Sequence, residues 1–140
     1  MTSPEGINDE LMPFMRMTIP PHLSGKTIDE MPVREKIGRS WLLLFGLLPI
    51  DYDDITLAEL EPGRRFLERS TMMSMSAWEH ERTLSPFDSG TEVTDRIAFT
   101  MRPPLGWIPG AHALLRATLL RLFDHRHRRL VGWAEARKRA

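Results

Sequence analysis

The sequence predicts an α+β fold in which one long C-terminal helix packs against an antiparallel sheet. Three observations predict it. The middle of the chain consists of alternating runs separated by turn residues, residues 111–138 repeat apolar side chains at helical spacing, and 140 residues suffice for one core. We therefore treat residues 1–140 as a single domain.

The first segment, Ser3 to Gly38, is expected to contain two short helices and a loop. Ser3 followed by Pro4 and Glu5 is a typical helix start, because a hydroxyl caps the end, proline fits the first turn and an acid follows. The later prolines should end the first helix and keep most of the segment non-helical: Pro13, Pro20, Pro21 and Pro32.

The second segment, Arg39–Met101, is expected to form antiparallel strands. Pro49–Asp54 is interpreted as a loop and Ser85–Gly90 as a six-residue hairpin loop, because both are rich in turn residues. The predicted strands are Ser40–Leu48, Ile55–Leu60, Arg65–Met73, Ser74–Leu84 and Thr91–Met101.

The third segment, from Ala111 to about Lys138, is predicted to be one long amphipathic helix. Arginines occupy much of one side, and the opposite side is apolar and should face the sheet. The predicted apolar stripe consists of Ala111, Leu114, Leu115, Thr118, Leu122, Phe123, Leu130 and Ala134.

The charge distribution argues against nucleic acid as a partner. The 19 basic residues balance the 19 acidic ones, with 11 acids and 5 bases in residues 1–62 and 8 acids and 14 bases in residues 63–140. Such a chain has no general attraction to nucleic acid or to an anionic membrane. The longest apolar run, Trp41–Leu48, is too short for a transmembrane segment, and the N-terminus does not resemble a signal peptide, so a cytoplasmic protein is expected.

The sequence contains no pattern typical of a cofactor or metal site. There is no cysteine and no glycine-rich phosphate loop. His125 and His127 should point apart on a helix, so they cannot share a metal. Asp51, Asp53 and Asp54 lack the glycine and the distal glutamate of a calcium loop. We therefore expect no metal and no cofactor.

The predicted last hairpin places His80 beside Asp95. If Leu84 and Thr91 close the loop, His80 lies directly opposite Asp95 on the apolar face of the sheet. A histidine beside a carboxylate on an apolar wall could act as a general base or bind a polar ligand group. Alternatively, the two side chains, together with Arg82, satisfy each other and only fix the strand register. The same register places Arg82 opposite Val93 and Trp78 opposite Ile97.

Several segments, in this order and spacing, resemble bacterial proteins of the START-like (SRPBCC) superfamily, which includes polyketide cyclases and dehydratases. The resemblance extends from about Thr2 to Leu130. The segments that carry it are Gly38-Arg39-Ser40-Trp41, Leu47-Leu48-Pro49-Ile50-Asp51-Tyr52-Asp53-Asp54, Glu61-Pro62-Gly63, Phe66-Leu67-Glu68-Arg69-Ser70, Trp78-Glu79-His80-Glu81-Arg82, Thr91-Glu92-Val93-Thr94-Asp95-Arg96 and Leu122-Phe123-Asp124-His125-Arg126-His127-Arg128-Arg129-Leu130.

This resemblance implies a helix-grip fold, in which a curved antiparallel sheet wraps around the long C-terminal helix and a hydrophobic cavity lies between them. Members bind lipids, quinones, polyketides or hormones, so we expect this chain to bind a hydrophobic or amphipathic small molecule. No member's catalytic set maps cleanly onto the chain, which favours a binding protein over an enzyme. The residues expected to line the cavity are Trp41, Trp78, His80, Arg82, Asp95, Ile97, Phe99, Leu115, Leu122 and Phe123.

Two other functions stay open at this point. One is a polyketide cyclase or dehydratase that uses His80 and Asp95. The other is a non-catalytic interaction protein whose cavity is filled by its own side chains.

The resemblance also implies a missing strand. Relatives begin with a β-strand before the segment that starts here at Thr2. Without that strand, Ser40–Leu48 and Thr91–Met101 would carry unpaired edges, which invite pairing with another chain. We therefore expect a shortened domain, either because the native product starts upstream of Met1 or because the chain fills the gap as a homo-oligomer.

Overall fold

The computed structural model of the chain describes residues 3–140, which form two α-helices and six β-strands. Met1 and Thr2, where the resemblance begins, lie outside the described residues. The elements are α1 (Pro4–Leu11), β1 (Met15–Met17), β2 (Lys36–Leu44), β3 (Leu48–Glu61), β4 (Arg65–Met72), β5 (Met75–Phe87), β6 (Gly90–Met101) and α2 (Ala111–Arg139), with short 3₁₀ turns at Pro21–Leu23, Ile28–Glu30 and Leu105–Trp107.

The six strands form one antiparallel sheet in which the spatial order follows the chain order. The sheet is curled into a half-barrel, and the ladders β2–β3, β3–β4 and β5–β6 contain register shifts of the kind that bend a sheet. The predicted fold class is confirmed at this level: α+β, with a curled antiparallel sheet and a long C-terminal helix.

The N-terminal segment begins as predicted and then differs. Ser3 caps α1, since the Gly6 amide donates to Ser3 Oγ at 3.1 Å. The second short helix is replaced by 3₁₀ turns and by β1, a strand that the sequence analysis did not predict. The Asn8 side chain holds β1 in place, because its amide donates to the Met17 carbonyl at 3.0 Å and its oxygen accepts from the Met17 amide at 2.7 Å.

The two expected open edges have different outcomes. β1 pairs with β2 at Leu42–Leu44, so the prediction that the edge of β2 is wholly unpaired is wrong. For β6, no strand among the described residues pairs with its outer edge. Among the described residues, the sheet therefore ends on one side in the three-residue strand β1, which covers only Leu42–Leu44 of β2, and on the other side in β6, which has twelve residues.

The predicted loop Pro49–Asp54 is wrong, because these residues belong to β3. The chain turns earlier, at residues 45–47. Pro49 is tolerated because it lies where the β2–β3 register shifts, opposite Leu43. The acids that suggested a loop instead alternate with the apolar residues of a strand, and Asp51 and Asp53 are buried on the inner face.

The predicted six-residue hairpin loop is also wrong. β5 continues to Phe87, and only residues 88 and 89 form the turn, with Asp88 in the left-handed region at φ 48°. Asp95 therefore lies opposite Arg82 rather than opposite His80, a shift of two residues. Because side chains alternate with a period of two, the shift keeps every side chain on its predicted face. The observed pairs include Arg82–Asp95, His80–Ile97, Trp78–Phe99 and Leu84–Val93.

Helix α2 crosses the concave face of the sheet at the predicted position. Leu115, Leu119 and Phe123 pack against the buried cluster formed by Met72, Met75 and Trp78. Three positions of the predicted stripe are exposed: Leu114, Thr118 and Ala134. Leu114 is 71% exposed, because the side of α2 that faces the sheet follows Leu115 and Leu119 instead. No helix among residues 3–140 combines the length and the apolarity needed to cross a membrane.

Candidate functional site

A cavity of about 410 Å³ lies between the concave face of the sheet and α2, and residues of α1 and of the 3₁₀ turns Pro21–Leu23 and Ile28–Glu30 contribute to its wall. Its volume falls within the range of pockets that hold small molecules. Most of the wall is apolar. The apolar lining residues include Ile7, Leu11, Ile19, Leu23, Ile37, Ile55, Leu57, Phe66, Met72, Met75, Trp78, Leu115, Leu119, Leu122 and Phe123.

Asp95 is the centre of a buried ionic network on one side of this cavity. His80 Nε2 donates to Asp95 Oδ1 at 2.7 Å, and His127 Nε2 donates to Oδ2 at 2.6 Å. The Arg82 guanidinium binds both oxygens, at 2.8 and 2.9 Å. The predicted contact between His80 and Asp95 is therefore confirmed, although it runs diagonally across the ladder.

Glu10 joins this network to both helices. Its side chain is fully buried in α1 and accepts from two Arg82 nitrogens, each at 3.1 Å. Arg126 of α2 donates to the same carboxylate from Nε at 3.1 Å and lies 3.0 Å from it at Nη2. Glu10 thus holds two buried guanidinium groups together, which is the arrangement that buried charges require.

The electrostatics of the network stabilise its charged forms. Burial alone would raise the pKa of Asp95, but the hydrogen bonds from His80 and Arg82 outweigh it and hold this pKa well below the ordinary value. Burial disfavours a charged His80, yet the hydrogen bond to Asp95 and the nearby charge of Glu68 raise its pKa overall.

A histidine in this position is a poor general base. Nε2 of His80 binds Asp95, and Nδ1 lies 3.8 Å from a Glu68 oxygen. The raised pKa favours the doubly protonated ring, which has no lone pair with which to accept a proton. This geometry favours the structural interpretation of the His80–Asp95 pair over the catalytic one.

A second polar group, on β3 and β4, faces the same cavity. Asp53 and Glu68 both line it, and Ser70 Oγ donates to Glu68 Oε1 at 2.9 Å. Burial raises the pKa of Asp53 to about 9, and the neighbouring charge of Glu68 adds to the effect. For Glu68, burial acts in the same direction, but the nearby charge of His80 and the hydrogen bond from Ser70 keep its pKa below the ordinary value. Asp53 is therefore protonated at neutral pH while Glu68 is ionised.

Nearby Asp51 has a structural role. Its carboxylate accepts from the backbone amides of Tyr52 and Met73, at 2.7 and 2.8 Å, and from the amide and hydroxyl of Ser74. These bonds fix the turn between β4 and β5. Asp54 points to the outer face and pairs with Arg39. Among residues 3–140, no group of histidines and acids has an arrangement that could hold a metal ion.

The sequence-predicted cavity residues separate into three groups. Six of them line the cavity: Trp78, His80, Arg82, Leu115, Leu122 and Phe123. Asp95 forms hydrogen bonds with two of these, His80 and Arg82. Ile97 and Phe99 pack against the buried cluster around Trp78. Trp41 lies on the outer face, because its neighbours Ser40 and Leu42 point inward, and it is 40% exposed with its ring 5.7 Å from that of Tyr52.

Sequence reasoning missed Glu10, Arg126, His127, Asp53 and Glu68, although patterns in the sequence mark two of them. Arg126 continues the stripe of Leu119, Leu122 and Phe123 on α2, so an arginine on the buried side needed a buried acid. Asp53 occupies the same strand face as Ile55 and Leu57 at a spacing of two. Glu10 has a weaker signal, as an acid beside Leu11 in a helix with an apolar face.

Comparison with known proteins gives a family and a fold. Residues 1–133 match the family described as a domain of unknown function (DUF8410). The crystal structure of protein CV1439 from Chromobacterium violaceum is similar in fold, with a TM-score of 0.54 over 92% of this chain and 87% of that chain, at 16% sequence identity. At that identity the likeness concerns the fold alone. No curated protein matches the sequence.

Proposed function

The chain belongs to the DUF8410 family, whose description states no activity, and from its cavity we propose that it binds a hydrophobic or amphipathic small molecule. The observation that carries this proposal is the cavity of about 410 Å³ between the sheet and α2. An interaction protein with a filled interior would not need such a space. Apolar walls with a few convergent polar groups are typical of small-molecule sites.

The distribution of polarity within the cavity supports an amphipathic occupant. Its walls are formed by aliphatic, aromatic and methionine side chains, while Asp53, Glu68, His80, Arg82 and Arg126 supply polar surface. Burying apolar ligand surface stabilises a complex by about 25 cal/mol for each Å² removed from water. The polar groups would orient a head group.

We further propose that the fold is the helix-grip arrangement of START-like (SRPBCC) proteins. The curled antiparallel sheet, the long C-terminal helix across its concave face and the cavity between them support this assignment. The short β1 would then occupy part of the edge at which relatives have their first strand.

The proposal is tested by filling the cavity from α2. Leu119 lines the cavity, whereas the next residue, Leu120, is 58% exposed. We expect the wild type and Leu120→Trp to bind the uncharged fluorophore N-phenyl-1-naphthylamine, with a rise in its emission. Leu119→Trp should bind it at least tenfold more weakly, because the indole occupies the site. Thermal melts followed by circular dichroism check that both variants are folded.

Equal binding by the two variants, or no binding by the wild type, would contradict the proposal.

A separate experiment, native mass spectrometry of protein purified from its own host, would identify the natural ligand as a co-purified mass.

A further inference from the structure

The turn between β2 and β3 forms an apolar tip that projects from the sheet. This β2–β3 tip consists of residues 45–50, none of which carries a charge. β3 begins at Leu48 but pairs with β4 only from Asp53 onward, so about five residues, or about 16 Å of strand, extend beyond β4. The large apolar side chains of the tip are exposed, and Leu47 is 85% exposed: Phe45, Leu47, Leu48 and Ile50.

A second apolar segment emerges at the same end of the sheet. Because all neighbouring strands are antiparallel, β2, β4 and β6 run in the same direction, and the turns that follow them share one end. The β6–α2 loop, residues 103–110, follows β6 and is exposed and uncharged throughout. Trp107 in this loop is 76% exposed, and tryptophan is enriched at membrane–water interfaces.

The charges around these two segments are basic. The stretches that contain them, residues 36–50 and 96–123, include no acid. Asp51, the first acid after the tip, is buried and accepts hydrogen bonds from the turn between β4 and β5. Arg16, opposite Leu43 on β1, and Arg116, in the second turn of α2, are exposed. The charges of the whole chain balance, but this end of the sheet is locally positive and apolar.

This combination favours an anionic lipid surface over a second copy of the chain. Exposed apolar patches mark sites of protein or membrane interaction. A symmetric contact between two copies would bring Arg16 and Arg116 of each copy toward those of the other, and like charges disfavour such a contact. A lipid surface with negative head groups complements them instead. The opposite end of the sheet does not suit such a surface, because its turns carry the exposed acids Glu61 and Asp88.

We propose that the β2–β3 tip and the β6–α2 loop dock on an anionic lipid bilayer, with their apolar side chains among the head groups and the arginines beside the lipid phosphates. Insertion stops at the interface, since the open hairpin needs water for its unpaired backbone groups. Ile50 of the tip also lines the cavity, so docking brings the cavity wall next to the lipid. This inference goes beyond the proposed ligand-binding function and does not depend on what the cavity binds.

The first experiment measures co-sedimentation of the wild-type protein with sucrose-loaded vesicles of phosphatidylcholine, either alone or with a quarter of phosphatidylglycerol. At about 0.1 M salt we expect binding to the anionic vesicles to be at least about tenfold tighter, because arginines close to such a surface are attracted to it. Raising the salt concentration should remove most of this difference. No binding to the anionic vesicles, or equal binding to both compositions, would overturn the proposal.

The second experiment removes two exposed apolar side chains from the docking segments. Leu47→Ser/Trp107→Ser should bind the anionic vesicles at least about tenfold more weakly, because side chains that leave water on docking are lost. The matched control is Phe87→Ser/Val131→Ser, which changes similarly exposed side chains in the β5–β6 hairpin and in the last turns of α2. The control should bind as the wild type does, and equal weakening of the two pairs would contradict docking through this end.

The third experiment tests the charge at the docking end. Arg16→Gln should weaken binding to the anionic vesicles by about fivefold, whereas Arg64→Gln, an exposed position in the turn at the opposite end, should leave it unchanged. Light scattering without vesicles examines the alternative occupant. If the wild type does not bind vesicles but forms an oligomer that Leu47→Ser/Trp107→Ser dissociates, this surface is a contact between copies and the lipid proposal is wrong.

Discussion

Replacing Glu10 with glutamine should destabilise the protein strongly, because its carboxylate is the ion-pair partner of buried Arg126 and is shared with Arg82, which also binds Asp95. Glu10 accepts from Arg82 and Arg126 and is itself fully buried. Glutamine keeps the shape and one acceptor oxygen but removes the charge. Arg126 then lies beside Arg82, whose charge already lowers the pKa of Arg126 in the native network, after the larger effect of burial.

The magnitude follows from the burial of the pair. Removing one partner of a buried ion pair costs about 3–5 kcal/mol, and we take about 3 kcal/mol because glutamine retains a hydrogen bond. That is a large part of a domain's stability of about 5–15 kcal/mol. For a chain of this length it corresponds to a fall in Tm of about 12 °C.

The assay is urea unfolding at pH 7, followed by far-ultraviolet circular dichroism, with the midpoint and the slope fitted separately. Asp9→Asn is the matched control, since it removes the same charge from an exposed position of the same helix. We expect the control to change the free energy of unfolding by less than about 0.5 kcal/mol. A Glu10→Gln midpoint equal to that of Asp9→Asn would refute the claim that this carboxylate holds the network together.

Three further predictions concern pH and association. Asp53 is protonated in the folded state up to a pKa of about 9 but ionises near 4 when unfolded, so its contribution to stability falls as pH rises from about 4 to 9. In urea titrations the free energy of unfolding of Asp53→Asn should therefore fall less over this range than that of the wild type. At pH 8 it should exceed the wild-type value by at least about 1 kcal/mol. Parallel pH profiles of the two proteins would contradict a protonated Asp53. In ¹⁵N NMR spectra the His80 ring should titrate with a midpoint above its ordinary value of about 6.5, and a midpoint below it would show that burial outweighs the two carboxylates. The open edge of β6 should promote self-association, so light scattering over a range of concentrations should give a mass above 16.2 kDa, and a constant monomer mass would count against pairing at this edge.

Those parts of the fold that depend on local patterns could be predicted from the sequence. Ser3 caps the first helix, and α2 runs over Ala111–Arg139, because capping and helical spacing are local properties. The faces of β6 were predictable for the same reason. Its register was not, because a two-residue turn at Asp88 and a six-residue loop both fit the turn-rich sequence Ser85–Gly90. The error was an even number of residues, so the contact between His80 and Asp95 survived it.

The parts that depend on distant contacts could not be predicted. Nothing near β1 shows that Met15–Met17 is a strand, since Asn8 and the edge of β2 impose that conformation. The network around Glu10 needs α1, two strands and α2 together. An acid in a short, partly polar helix is normally exposed, and only its three-dimensional neighbours identify it as buried.

The ionic network also has a consequence for the order of folding. It joins residues 72 positions apart, from Glu10 to Arg82, and 116 positions apart, from Glu10 to Arg126. Contacts between such distant parts of a chain require large loops to close, so they tend to form late, after the local hairpins of β3 to β6. Charges buried late act mainly as a barrier to opening: variants of Glu10 should unfold faster while their refolding rate changes little. The lifetime of the native state then depends on the contact between Glu10 of α1 and Arg126 of α2.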